Sequence, residues 1–180
     1  MSLMKIYSCY HPVLKKPTEP VTEMTPELRT LIDDMFDTMH NADGSGLAAN
    51  QVGISKSIVV IDVSYYEKKQ YDPIVLINPR IVAASDEEVD FEEGCLSIPG
   101  IFENVKRPKA VEVEYLDIDL QPQRIADDDL LARVMQHEID HLNATLFIEK
   151  ISPLRRAMNK SKLKRILKGD IDKPYEMVIK

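Results

Sequence analysis

The chain has 180 residues, of which 44% are apolar and 29% charged, the profile of one globular domain rather than a disordered or fibrous chain. A net charge of −7 argues against general nucleic-acid binding, so DNA is not an expected partner. Two cysteines, Cys9 and Cys95, are too few for a disulfide scaffold, and no apolar run reaches the ~18 residues of a membrane span.

Residues 1–7 lack the apolar core and cleavage site of a secretory signal, and Met4 is an alternative start to Met1. The first helix begins at Thr25, a capping residue, followed by Pro26 at a position where a missing N–H costs nothing. Leu28, Leu31, Ile32, Met35 and Met39 recur at helical spacing until Asn41-Ala42-Asp43-Gly44 stops the pattern. Ser57–Val63 reads as a strand, as does Ile74–Ile77, ending before Asn78-Pro79; residues Tyr65–Asp72 between them read as a polar loop. Val111, Val113 and Tyr115 alternate with Glu112 and Glu114, a strand with one wet face. A second helix is expected from about Asp128 to Leu142, with acidic Asp127–Asp129 at the end the helix dipole favours. A basic C-terminal helix is expected over Leu154–Leu167, within about residues 153–168. From Pro153 to Gly169 there are seven Lys or Arg and no acid, so the rest of the chain carries 16 basic against 30 acidic residues. Strands grouped between helices, without regular βαβ alternation, give an α+β class.

The strongest chemical signal is His137-Glu138-Ile139-Asp140-His141. On a helix, positions i and i+4 share a face, so both imidazoles can reach one ion. Glu138, offset by one, suits a carboxylate that takes a proton from water beside the ion. A catalytic site needs a third ligand and an open position. Glu149, Asp170, Asp172 and Glu176 are the downstream carboxylates, and of these Glu176 stays open as the ligand of a zinc endopeptidase. Upstream, Cys95 sits in Glu93-Gly94-Cys95-Leu96-Ser97, where ligand and buried core thiol are equal readings.

Gly44-Ser45-Gly46-Leu47-Ala48-Ala49-Asn50-Gln51, then Glu93-Gly94-Cys95-Leu96-Ser97, then Gln136-His137-Glu138-Ile139-Asp140-His141-Leu142 resemble, in order, the three signature motifs of peptide deformylases. The likeness spans roughly residues 5 to 150 and includes His11-Pro12-Val13-Leu14. It implies a single α+β domain over residues 1–180, with antiparallel and mixed sheets around a central metal-binding helix and further helices at both ends. It implies removal of the formyl group from N-formylmethionyl peptides, and the missing presequence favours a bacterial cytoplasm over an organelle.

By that resemblance Cys95, His137 and His141 bind one divalent ion, Fe2+ first, with Zn2+, Ni2+ or Co2+ as substitutes. Glu138 is the proton carrier, while the Gln51 amide and the Leu96 N–H stabilise the oxyanion. The backbone near Gly46 pairs with the extended substrate. Phe91, Leu130, Val134 and the stem of Arg133 are candidates for the methionine pocket. Asp140, expected buried, needs a partner, for which Arg107 is the candidate, and Glu93 is expected to orient a ligand. The chain departs from the family pattern at Ala144, where glycine is usual; a positive φ there costs about 1 kcal/mol. The basic tail reads either as a solvated amphipathic helix or as a ribosomal-RNA contact, and on the second reading its removal leaves the chemistry intact. The competing classes are the zinc endopeptidase and a non-catalytic protein that keeps the metal for structure; the presence of Glu138 argues against the latter.

Overall fold

A computed structural model describes residues 2–65, 71–172 and 175–180. Five strands form an antiparallel sheet in the order β2-β3-β4-β7-β8. These are β2 (Gly46–Ala48), β3 (Ile58–Ile61), β4 (Ile74–Ala84), β7 (Val111–Leu116) and β8 (Pro122–Asp127). A hairpin of β5 (Glu88–Glu93) and β6 (Glu103–Pro108) stands beside it, and short β1 (Ile6–Tyr7) pairs in parallel with β9 (Met177–Val178). The helices are α1 (Pro26–Asn41), α2 (Leu130–Leu142), α3 (Phe147–Lys150), α4 (Pro153–Met158) and α5 (Lys160–Lys168). The class is α+β, with antiparallel and parallel pairings, as expected. Among the described residues no helix is long and apolar enough to cross a membrane.

Strand β3 shows why the sheet is covered on both faces. Its residues are all fully buried, and alternate side chains go opposite ways. Val59 and Ile61 join the core under α2, whereas Ile58 and Val60 join the core under α1. Each such side chain contributes about 1.5–3 kcal/mol on burial. A third apolar cluster joins β6, α3 and α5 through Val105, Phe147 and Ile166.

The first helix matches its sequence signals. The Thr25 hydroxyl accepts from Leu28 N at 3.3 Å, and Ile32, Met35 and Met39 are buried. Helix α2 starts at Leu130, two residues later than expected. The acid at its start works by direct bonding: Asp127 Oδ2 accepts from Asp129 N and Ala132 N at 2.9 and 3.0 Å. Its end is a Schellman closure. Thr145 N donates to Asp140 O and Ala144 N to His141 O, with Ala144 held at φ 59°.

Two expectations need correction. Strand β4 does not end at Ile77 but runs on to Ala84. Asn78 takes φ 50° in a bulge, and its side chain exchanges two hydrogen bonds with the Val21 backbone, at 2.8 and 2.7 Å. The Asn-Pro pair therefore bends the strand instead of stopping it. The C-terminal helix is two helices, broken at Asn159, whose side-chain amide donates to Glu103 Oε1 at 2.5 Å. The expected Tyr65–Asp72 loop falls in its middle, residues 66–70, outside the described residues.

Candidate active site

Helix α2 packs on the sheet and is bonded to the β5–β6 hairpin through Arg133 and Gln136, so most of its circumference is buried, polar residues included. Buried polar groups require partners, and the partners build the site. Arg133 donates to Glu93 Oε1 at 3.0 Å and to the carbonyls of Val105 and Val89 at 3.0 and 2.8 Å. Its guanidinium carbon also sits 5.5 Å from the ring centre of Phe91. Gln136 reaches the Pro108 carbonyl at 3.0 Å.

One turn on, His137 and His141 face the same direction, and Cys95 arrives from the loop after β5. One ligand atom from each of the three lies within 4.8 Å of the others. Cys95 Sγ is 3.2 Å from His141 Nε2. Two imidazole nitrogens and a sulfur are the donor types of iron and zinc sites. Burial and the neighbouring His137 and Arg107 hold the His141 imidazole well below its ordinary pKa, in the neutral form that ligates. Burial opposes charge on His137, but Cys95 and Glu93 raise its pKa overall; a cation would replace that proton. The residues therefore fit a divalent ion. Among the described residues no carboxylate joins the group; Glu176 instead pairs with Lys5 at 3.2 Å on the surface.

Glu93 organises the region. Its carboxylate accepts from Arg107 Nε and Nη2 at 2.6 and 3.0 Å and from Arg133, and lies 2.9 Å from His137 Nδ1. Burial works against its charge, yet His137 and Arg107 hold it down at about 2. Arg107 continues to Asp140 Oδ2 at 2.5 Å. Asp140 is less enclosed than expected, about 20% exposed, and Lys150 also pairs with it at 3.2 Å.

Glu138 is buried, and its Oε2 has no hydrogen-bond partner among the described residues. Burial pushes its carboxyl up to about 7, with Glu93 adding to the effect. Gly46 crosses directly over it. A Cβ there would stand 2.7 Å from both Glu138 Oε1 and Val134 Cγ1, so only glycine permits this approach. Gln51 is fixed through its carbonyl oxygen, which accepts from Ala48 N at 2.8 Å. Its amide nitrogen is thereby aimed at Ser97 Oγ, 3.3 Å away, and Cys95 Sγ, 3.7 Å away.

These groups open onto a cleft of about 530 Å³. Gly46, Gln51, Phe91, Leu96, Leu130, Arg133 and Val134 all line it, together with Glu93, Cys95, His137 and Glu138. His141, Arg107 and Asp140 stand behind it. Arg133 offers less free stem than expected, since its head is tied inward to Glu93. The sequence reading missed Phe102, which covers Gly94 so closely that a Cβ there would come within 2.5 Å of its ring. It also missed Asn50, whose amide holds the His141 carbonyl at 2.6 Å, although Asn50 stands inside the first motif. Tyr175 and Asp172, from the C-terminal tail, complete the wall, and no local signal marks either.

Residues 3–157 match the family model described as polypeptide deformylase. A peptide deformylase of Cellvibrio japonicus is 44% identical over 176 residues, covering 95% of this chain and 99% of the relative. The crystal structure of a peptide deformylase from Legionella pneumophila superposes with a TM-score of 0.85 at 43% identity, covering 94% and 98% of the two chains. That of a Synechococcus elongatus peptide deformylase in complex with actinonin gives 0.82 at 42% identity, covering 88% and 85%.

Proposed function

The chain belongs to the polypeptide deformylase family, and on that premise we propose how its own residues carry the reaction. It is a hydrolase that removes the N-formyl group from the N-terminal methionine of newly made proteins, releasing formate. The observation that supports the residue assignment is the meeting of Cys95, His137 and His141 at the cleft, beside a buried carboxylate oxygen of Glu138 that has no partner among the described residues.

Cys95, His137 and His141 would hold the divalent ion, Fe2+ in the first instance. When bound there, it supplies Lewis acidity that makes hydroxide available near neutral pH. Glu138 takes the proton of the attacking water and delivers it to the leaving amine nitrogen. As the formyl carbon becomes tetrahedral, its oxygen gains charge, and the Gln51 amide and Leu96 N–H donate to it. Glu93 holds the His137 ring through Nδ1, leaving Nε2 as the ligating atom. Arg107 keeps Glu93 charged and in place, and Asp140 anchors Arg107 from its other side.

The substrate chain enters along β2. This strand pairs with β3 on one side and forms an edge of the five-stranded sheet, so its other side is available for an added strand at Gly46. The methionine side chain occupies the apolar part of the cleft by Phe91, Leu130 and Val134. We place the reaction in a bacterial cytoplasm. The exposed basic residues of α4 and α5 are the surface for a ribosomal-RNA contact, which is salt-dependent if it forms.

Formate release from formyl-Met-Ala-Ser tests the assignment. Glu138→Ala should lower kcat by about 10²–10⁴ while the metal stays bound. Full activity in that variant, or loss of metal from it with no effect of Cys95→Ala on metal content, would remove the assigned roles. Cys95→Ala separates this reading from a zinc endopeptidase, which keeps its metal without the thiol.

A further inference from the structure

The C-terminal tail was expected to be dispensable for chemistry, yet it reaches the cleft. Tyr175 donates from its phenol to the Leu96 carbonyl at 2.7 Å and is itself part of the cleft wall. Leu96 carries the N–H assigned to the oxyanion, and Cys95 precedes it, so the tail grips the loop that supplies both.

The grip is anchored. Strand β9 lies parallel to β1, with Ile6 N donating to Glu176 O at 2.9 Å and Ser8 N to Val178 O at 2.8 Å. The Ser8 hydroxyl adds a bond to Ile179 O at 2.7 Å. The same N-terminal segment holds the loop from its other end, where Cys9 N donates to Ser97 O at 2.9 Å. Two successive carbonyls, those of Leu96 and Ser97, are thus fixed from the tail and from the segment that follows β1, which are themselves joined. The Leu96 N–H lies in the peptide plane before its Cα, a plane that Ile98 N pins by donating to Cys95 O at 2.8 Å. The Leu96 carbonyl lies in the plane after it, so a bond to that carbonyl restricts the remaining rotation at Leu96 and keeps the N–H in its direction.

We infer that Tyr175 is a positioning residue for deformylation: its phenol orients Leu96 so that the backbone N–H meets the developing oxyanion, and the tail is part of the active site. The phenol is well placed to stay a donor, because burial, with Cys95 beside it, pushes its pKa up. The inference rests on the deformylase reading and on Leu96 as an oxyanion donor. A donor misdirected by a few tenths of an ångström weakens binding of the transition state more than of the ground state. The effect of losing the phenol therefore falls on kcat and spares KM.

The test is Tyr175→Phe in the full-length, metal-loaded enzyme, with rates normalised to bound metal. Removing one hydrogen bond should lower kcat about 3–10-fold, leave KM for formyl-Met-Ala-Ser within about twofold, and speed amide exchange of residues 95–98. Tyr10→Phe is the control, since Tyr10 makes a comparable phenol bond, to Leu163 O at 3.1 Å, away from the cleft. It should leave kcat unchanged. An unchanged kcat in Tyr175→Phe, or an equal fall in Tyr10→Phe, overturns the inference. A parent enzyme that releases no formate sinks the deformylase reading itself, whereas an active parent with an indifferent Tyr175→Phe sinks only the role of the tail.

Discussion

Replacing Glu93 by Gln is the most informative single change outside the reacting atoms. It preserves volume and deletes one buried charge. Arg107 and Glu93 side chains are each only 4% exposed, and Arg133 adds a second buried cation. Gln offers one acceptor where the carboxylate offers two, and its amide NH2 must face either an arginine donor or His137 Nδ1. Removing one partner of a buried pair costs about 3–5 kcal/mol. The titration of Glu93 gives the same scale. Depression from 4.5 to about 2 corresponds to about 3 kcal/mol of stability near neutral pH. In a protein of this size each kcal/mol moves Tm by about 2–4 °C, so a drop of about 6–20 °C is expected at pH 7. Because the folded-state pKa lies below the unfolded one, this stabilisation is present above about 4.5 and is lost as pH falls towards 2. The gap between parent and variant should therefore narrow in acid. Freed of its partner, His137 should also bind metal about 10–100-fold less tightly. Thermal melts followed by circular dichroism from pH 7 to pH 3, with metal affinity by chelator competition, measure all three. A Tm within about 2 °C of the parent at pH 7, with metal affinity intact, would show that Glu93 does not hold the network together.

Further outcomes follow from single contacts. Gly46→Ala forces a methyl group to within 2.7 Å of Glu138 Oε1. Formate release should fall by at least about tenfold with the metal content unchanged, since displacing a proton carrier by a fraction of an ångström is costly. Ala144→Gly relieves the positive φ of 59° at the end of α2 and should stabilise by up to about 1 kcal/mol, read as a rise in the urea midpoint without a change in slope. The Cys9 thiol is pushed up to about 12 by burial, with Cys95 adding to the effect. At pH 8 it should resist iodoacetamide in the native state and react after denaturation, scored by peptide mass. Because the tail carries Tyr175, ribosome docking is better tested by charge reversal at Lys162, Lys164 and Lys168 than by truncation after Ser152. Co-sedimentation at low salt should weaken while formyl-peptide activity holds, and unchanged sedimentation would dismiss the contact.

The sequence alone determined what depends on near neighbours. Thr25 and Pro26 mark the start of α1, the i, i+4 histidines share a face with Glu138 one residue away, and alternation marks Val111–Tyr115 as a strand. The three ordered motifs carried the family and the reaction by likeness, and with them the ligand set proposed above. The pairing of Arg107 with Asp140 was named from the need of a charged group for a partner, not from any pattern. Tertiary structure alone decided the rest. Asn78-Pro79 reads locally as a strand end, and only the Val21 backbone, 57 residues away, makes it a bulge. Asn159 breaks the basic helix because Glu103, 56 residues earlier, takes its amide. Tyr175 meets Leu96 across 79 residues, and neither carries a local sign of the other. Caps and periodicities are written within a few residues because their energies are local. A hydrogen bond that closes a long loop exists only after the remainder of the chain has offset the entropy of bringing its ends together.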